Sequence, residues 1–144
     1  MIYDTRPEGF EPELEVVGCF VEHGDRIVLI KRQDHEPQGN KWALPAGKIK
    51  EKEETKEKAV IREVKEETNL ELKTRDIEYL GKLYERYPDY DYVFHLYRAE
   101  TSSRENLKIN PEEHKDYRWV KPGEAIEMDL IRDLKWCIEK FYDI

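Results

Sequence analysis

The spacing of apolar and polar positions changes period several times along the chain, and each change marks an element. Residues 15–22 (Glu-Val-Val-Gly-Cys-Phe-Val-Glu) and 26–32 (Arg-Ile-Val-Leu-Ile-Lys-Arg) are β-branched runs, and His23-Gly24-Asp25 between them reads as a hairpin turn. A loop rich in turn formers covers 33–40, and Trp42-Ala43-Leu44-Pro45-Ala46-Gly47 follows it. From Thr55 to Thr68 the period becomes helical: at about 100° per residue, Val60, Ile61, Val64 and Thr68 fall within one arc, and Thr55 stands at the N-cap. Leu70-Glu71-Leu72, residues 77–87 and residues 91–100 read as strands, with Pro88-Asp89 as the turn between the last two. A polar connection over 102–111 leads to a short strand at 117–120, which Lys121-Pro122-Gly123 ends. Across 129–142, Leu130, Leu134, Cys137, Ile138 and Phe141 recur at three and four, predicting a terminal helix that covers the sheet. The order β-β-loop-α-β-β-α predicts an α/β fold in which a mixed β-sheet packs between helices.

Composition limits what this fold can be. With 144 residues the chain suits one domain spanning 1–144, and a chain of that size buries about 68–70% of its unfolded surface, enough for a core without staples. Charged residues make up 40% of the chain, but the apolar ones are gathered into runs, which argues against disorder. No apolar run approaches the roughly 18 residues of a membrane span, and the start, Met1-Ile2-Tyr3-Asp4-Thr5-Arg6, lacks the plan of a signal peptide. Cys19 and Cys137 lie far apart in no metal-ligand spacing, so two buried thiols in a reducing, cytoplasmic compartment are expected. A formal charge of −8 disfavours general nucleic-acid binding, which needs a basic stripe against the phosphate backbone. A phosphate ligand would therefore need a metal to neutralise its site.

The candidate chemistry sits on the central helix. Glu63, Glu66 and Glu67 stand at i, i+3 and i+4, so their carboxylates share one face beside the apolar arc. Like charges at that spacing destabilise by a few tenths of a kcal/mol per pair, more when partly buried, and repulsion raises at least one pKa. A divalent cation removes the conflict, and magnesium is typically held by one or two carboxylates plus substrate phosphates. Acid pairs on a helix are also common as a solvated face, which is the reading for the intermixed Lys and Glu of 50–58. For the three glutamates the pattern alone leaves both readings open.

A resemblance separates them. The run Gly47-x6-Glu54-x7-Arg62-Glu63-Val64-x-Glu66-Glu67-x-Asn69-Leu70 resembles the Nudix box, Gly-x5-Glu-x7-Arg-Glu-U-x-Glu-Glu-x-Gly-U with U aliphatic. The flanks Trp42 to Gly47 and Glu113-His114-Lys115-Asp116-Tyr117-Arg118-Trp119-Val120 are also similar to the family, so the likeness runs from about Val16 to the terminal helix. The box carries one inserted residue after Gly47, so Glu53 competes with Glu54 for the first Glu. Glu54 is preferred because Thr55 follows it. Asn69 replaces the final Gly, and Asn is the residue that best replaces Gly in the left-handed conformation that ends a helix.

The resemblance implies a MutT-like α/β/α sandwich and a pyrophosphohydrolase that cleaves a diphosphate linkage in a nucleoside diphosphate derivative or a nucleoside triphosphate. It implies Mg2+, with Mn2+ as the substitute, held by Glu63, Glu66, Glu67 and the Gly47 carbonyl. Arg62 would orient the carboxylates through a planar fork that Lys does not reproduce. Glu66, Glu67 or Glu113 would accept the proton of the attacking water. Arg32 resembles a phosphate-contacting position. Tyr84, Tyr87, Tyr90, Tyr92 and Trp119 are the aromatic side chains able to stack on a base, although aromatics on strands more often pack the core. Tyr87 and Trp119 are the chosen substrate contacts, with Arg32. Tyr87 and Pro88 both fall near the window that distinguishes dinucleoside polyphosphate from ADP-ribose hydrolases, so that marker does not decide between those alternatives. The expected partner is a small-molecule nucleotide, with no membrane and no general nucleic-acid binding, and with room for a homodimer. A rival of another class is a Nudix-like nucleotide sensor without catalysis; an acidic scaffold is a third.

Overall fold

The computed structural model describes residues 1–50, 54–102 and 106–144. The expected hairpin is present as β2 (Pro12–His23) and β3 (Arg26–Arg32), with the turn at Gly24 in the left-handed region (φ 62°). Only its root is paired, Glu22 with Ile27 and His23 with Arg26. Beyond the root the strands part. β5 (Ala46–Lys48) takes up the freed edge of β2, and β4 (Trp42–Ala43) that of β3. This split admits the Trp42 to Lys48 segment between the two strands.

On its other side β2 runs parallel to β7 (Asp91–Glu100), which pairs antiparallel with β6 (Ile77–Arg86), and β1 (Ile2–Tyr3) closes that edge. β8 (His114–Val120) pairs antiparallel with β3. The sheet is therefore mixed, as the sequence pattern predicts.

Side chains alternate across the sheet, so it feeds two cores. Val17, Cys19, Val21, Val28 and Tyr97 meet Ala59, Val60 and Val64 of helix α1 (Lys56–Thr68). Phe20, Ile27, Leu29 and Leu96 meet Leu134, Cys137 and Ile138 of helix α3 (Leu134–Tyr142) on the opposite face. This is the α/β/α sandwich, with the two free cysteines in different cores. Among the described residues no helix is long and apolar enough to cross a membrane.

Helix α1 begins and ends on side chains the sequence marks. Thr55 accepts a hydrogen bond from the Lys58 amide at 3.1 Å, a cap worth about 1 kcal/mol. Asn69 adopts the left-handed conformation (φ 64°) at the other end, and its amide closes on the Lys65 carbonyl.

Several expectations are corrected. Leu70-Glu71-Leu72 is not a strand: no edge pairs with it, both leucines drop into the α1-side core, and a 3-10 turn (Thr74–Asp76) follows. The terminal helix starts at Leu134 because residues 129–131 pair with Trp42, which donates to the Asp129 carbonyl and accepts from the Ile131 amide. The strand before Pro122 begins at His114, and a short helix α2 (Pro122–Ala125) follows it. Within 50–58, residues 51–53 lie outside the described residues, so Glu53 cannot be compared. Glu54 and Glu57 do not form a solvated face, since they bind Arg62 and Tyr97.

Candidate active site

Arg62, nearly two turns into α1, organises the box carboxylates. Its Nε and one terminal nitrogen donate to the two oxygens of Glu54 at 2.7 and 2.9 Å, the planar fork the sequence anticipates. Its other terminal nitrogen donates to Glu63 at 2.7 Å and lies 3.3 Å from Glu66. A further bond to the Lys48 carbonyl ties the helix to β5. Glu54, not Glu53, is thus the described partner of Arg62.

Burial and that guanidinium pull the carboxyls in opposite directions. The Arg62 hydrogen bond holds the Glu54 carboxyl down at about 2. Burial pushes Glu63 up, and Arg62 only partly offsets it. Glu67 is 5% exposed; burial, and then the charge of Glu63, raise its carboxyl well above the usual range. The amide of Ala46 donates to it at 2.8 Å. Glu66 is half exposed at the rim.

The structure brings Glu67 together with Glu113, whose carboxylate stands in the turn before β8, and with His114, the first residue of that strand. One ligand atom from each lies within 4.8 Å of the others. Glu63 and Glu66 instead face Arg62 on the same helix. Gly47 is required by contact: a Cβ there would lie 2.1 Å from the Glu63 carboxyl carbon.

His114 was not among the sequence candidates. It is 1% exposed and its Nδ1 has no hydrogen-bond partner. Burial, aided by the charge of Arg32, lowers its pKa to about 4, so the ring is neutral at neutral pH. Its signal was adjacency to Glu113, which spacing within a single helix does not reveal.

A cleft lies beside Ala46, the residue whose amide holds Glu67. Its outer part is lined by Arg32, Lys48, Tyr87, Tyr90 and Tyr92. Its inner part shares Tyr87 and Tyr92 and continues past Leu44, Ala46 and Phe94 to Glu85 and Asp133. Ala46 joins cleft and cluster, its side chain lining one and its amide holding Glu67 in the other. Arg32 is braced by the Pro37 carbonyl at 2.7 Å. Tyr87 packs edge-on against Tyr92, ring centres 5.3 Å apart, and Arg132 lies 4.6 Å over its ring.

Trp119 and Tyr84 lie elsewhere. Trp119 packs edge-on against His23 and the α1-side core, and Tyr84 packs edge-on against Phe10. Glu85 and Asp133, at the inner end of the cleft, come from distant parts of the chain and carried no motif. Burial, and then Asp133, push the Glu85 carboxyl upward.

The donor set suits a divalent cation. Carboxylates whose ionisation is penalised by burial and by one another, next to an orphaned imidazole nitrogen, are relieved together by one doubly charged ion.

The profile of the NUDIX domain matches residues 12–143. A CTP pyrophosphohydrolase of Escherichia coli K12 is 26% identical over 117 residues, covering 81% of this chain and 82% of that protein. Among solved structures, a MutT protein from Methanosarcina mazei superimposes with a TM-score of 0.79 at 21% identity, over 92% of this chain and 95% of the other. The NUDIX domain of Shewanella oneidensis NrtR, solved with ADP ribose, gives 0.78 at 24% identity, over 97% and 93%.

Proposed function

The chain belongs to the Nudix family of hydrolases, and from that premise we propose that residues 1–144 act as one cytoplasmic, magnesium-dependent pyrophosphohydrolase cleaving a nucleoside triphosphate or a small nucleoside diphosphate derivative. The observation that carries this reading is the junction at Ala46, where the carboxylate cluster meets an aromatic cleft. A substrate with its diphosphate at one end and a planar base at the other fits both. The Escherichia coli relative's name favours a triphosphate among the candidates.

In this reading Glu63, Glu66 and Glu67, with the Gly47 carbonyl, hold Mg2+, or Mn2+ in its place. The ion, when bound, offsets charge on the phosphates and acidifies a water. Arg62 is a positioning residue: by fixing Glu54, Glu63 and the Lys48 carbonyl it sets the helix against β5. Arg32 and Lys48 face the phosphate end of the cleft, while Tyr87 and Tyr92 flank the base. Glu113 is placed to take the proton of the attacking water, standing exposed beside buried Glu67 where solvent can carry the proton off.

The test is a panel of nucleoside triphosphates, nucleotide sugars, ADP-ribose and dinucleoside polyphosphates with magnesium, in oxygen-18 water, with products identified by mass. Cleavage between phosphates, with one product labelled, is the expected outcome. Tight nucleotide binding with no product after long incubation would instead favour a sensor.

A further inference from the structure

His114 has the placement of a ligand and lacks the contacts of a structural histidine. Buried imidazoles ordinarily have their ring nitrogens hydrogen-bonded. Here the ring is 1% exposed and Nδ1 meets no acceptor or donor, although carboxylates of Glu67 and Glu113 stand near. The backbone around it is fixed. The His114 amide donates to the Asn110 carbonyl at 2.9 Å, and the Gln33 amide and side chain hold the Glu113 and Pro111 carbonyls at 2.9 and 2.8 Å. The ring is therefore carried to Glu67 by the sheet, because the first residue of β8 pairs with Arg32 at the end of β3. A ring nitrogen of His114 and the two acids converge from a strand, a turn and a helix, whereas a surface acid cluster has no reason to bury an imidazole beside it.

We propose that His114 supplies a nitrogen donor to the divalent ion held through Glu67, beside Glu113. The proposal rests on the divalent-cation reading of the site and extends its donor set beyond oxygen. Its consequence is selectivity: Mn2+ is a hard ion but, as a transition metal, accepts a nitrogen donor more readily than Mg2+, so the site favours Mn2+ over Mg2+ by more than an all-oxygen set would.

The test begins with the wild-type protein titrated with Mn2+ and read by pulsed electron paramagnetic resonance. The expected spectrum carries the nitrogen modulation of a directly bound imidazole, altered when histidine is labelled with nitrogen-15. In folded His114→Gln that modulation disappears, and calorimetry shows Mn2+ affinity falling roughly tenfold with a smaller change for Mg2+. Bound Mn2+ with no histidine modulation in the wild type, modulation that survives in His114→Gln, or equal losses for both ions would overturn the nitrogen ligand while sparing the hydrolase reading. No binding of Mn2+ at all would overturn both. The wild-type spectrum stands even if the variant fails to fold.

Discussion

Two groups of carboxylates lie on opposite faces of the same sheet and are compensated differently. On the α1 side, Arg62 supplies a permanent positive charge to Glu54, Glu63 and Glu66, and what remains uncompensated is Glu67 with its neighbours Glu113 and His114. On the α3 side, Glu85 and Asp133 meet at the inner end of an apolar cleft. Among the described residues no guanidinium pairs with them; the Met1 ammonium stands 3.4 Å from Glu85 and 3.6 Å from Asp133. The first group gathers acids that burial and mutual repulsion penalise beside a buried imidazole. In the second, burial and then Asp133 push the Glu85 carboxyl up, which favours its protonated form. Burial raises acids in both, and the difference lies in what each site is prepared to bind.

The largest expected effect comes from replacing Glu67 with Gln. The amide keeps the volume and can still accept the Ala46 hydrogen bond, but it neither binds a cation strongly nor ionises. Turnover is expected to fall by about 10²-fold or more, measured with the best substrate of the panel. Thermal unfolding without metal is expected to stay level or rise, since the variant removes a buried charge repelled by Glu63. A large loss of stability together with intact specific activity of the folded fraction would make Glu67 a structural acid and erase the contrast between the two faces.

Gly47→Ala is the next step down. Its Cβ would enter the Glu63 carboxyl group, so either β5 or the Glu63 side chain has to move. Because Lys48, the next residue, is tied to Arg62, the movement passes to the whole carboxylate set. Turnover is expected to drop about tenfold to a hundredfold, with a Tm loss of a few degrees and a weaker stabilisation by added magnesium. The corresponding change at Gly24, where φ is 62° at the hairpin turn, strains the backbone without touching the site. Gly24→Ala is expected to cost about 1 kcal/mol in denaturant unfolding and to leave turnover unchanged.

The two faces were not equally legible in the sequence. Glu63, Glu66 and Glu67 sit within one helix, where the 3.6-residue period alone places them together, and Arg62 to Glu54 spans eight residues of the same local segment. The strands 26–32 and 91–100 and the caps Thr55 and Asn69 are readable for the same reason: short-range pattern or a single residue's backbone preference sets them. His114 reaches Glu67 only through the pairing of β8 with β3, and Glu85 reaches Asp133 only when α3 docks on the sheet. Neither register is written in local periodicity. Leu70 and Leu72 show the converse failure, since alternating burial looks like a strand even where no edge is available to pair. Residues 129–131 carry helical spacing but take the backbone partners that β4 offers, and long-range hydrogen bonds outweigh a weak local preference.

The smallest expected effect tests the α3 side by pH. The Glu85 carboxyl is raised from 4.5 to about 8, first by burial and then by Asp133. The groups facing it are Asp133, the Met1 ammonium, and Tyr92 and Cys137, whose own ionisation is pushed up partly by Glu85. Between those two values the folded protein keeps a proton that the unfolded chain has released, so stability falls as pH rises through the window and the loss is complete above the folded value. Glu85→Gln has no such proton to lose. In urea unfolding at matched salt, the variant is expected to match the wild type near pH 5 and to exceed it by about 1–2 kcal/mol near pH 9. Because Glu67 also contributes a slope of the same sign, the variant flattens the wild-type profile without abolishing its decline. Adding magnesium is expected to suppress the part due to Glu67 and leave the Glu85 part untouched, so the two faces separate in a single pair of titrations. A wild-type profile that rises with pH across this window, or a Glu85→Gln profile parallel to it, would show that Glu85 does not keep its proton and that the cleft ends in charge.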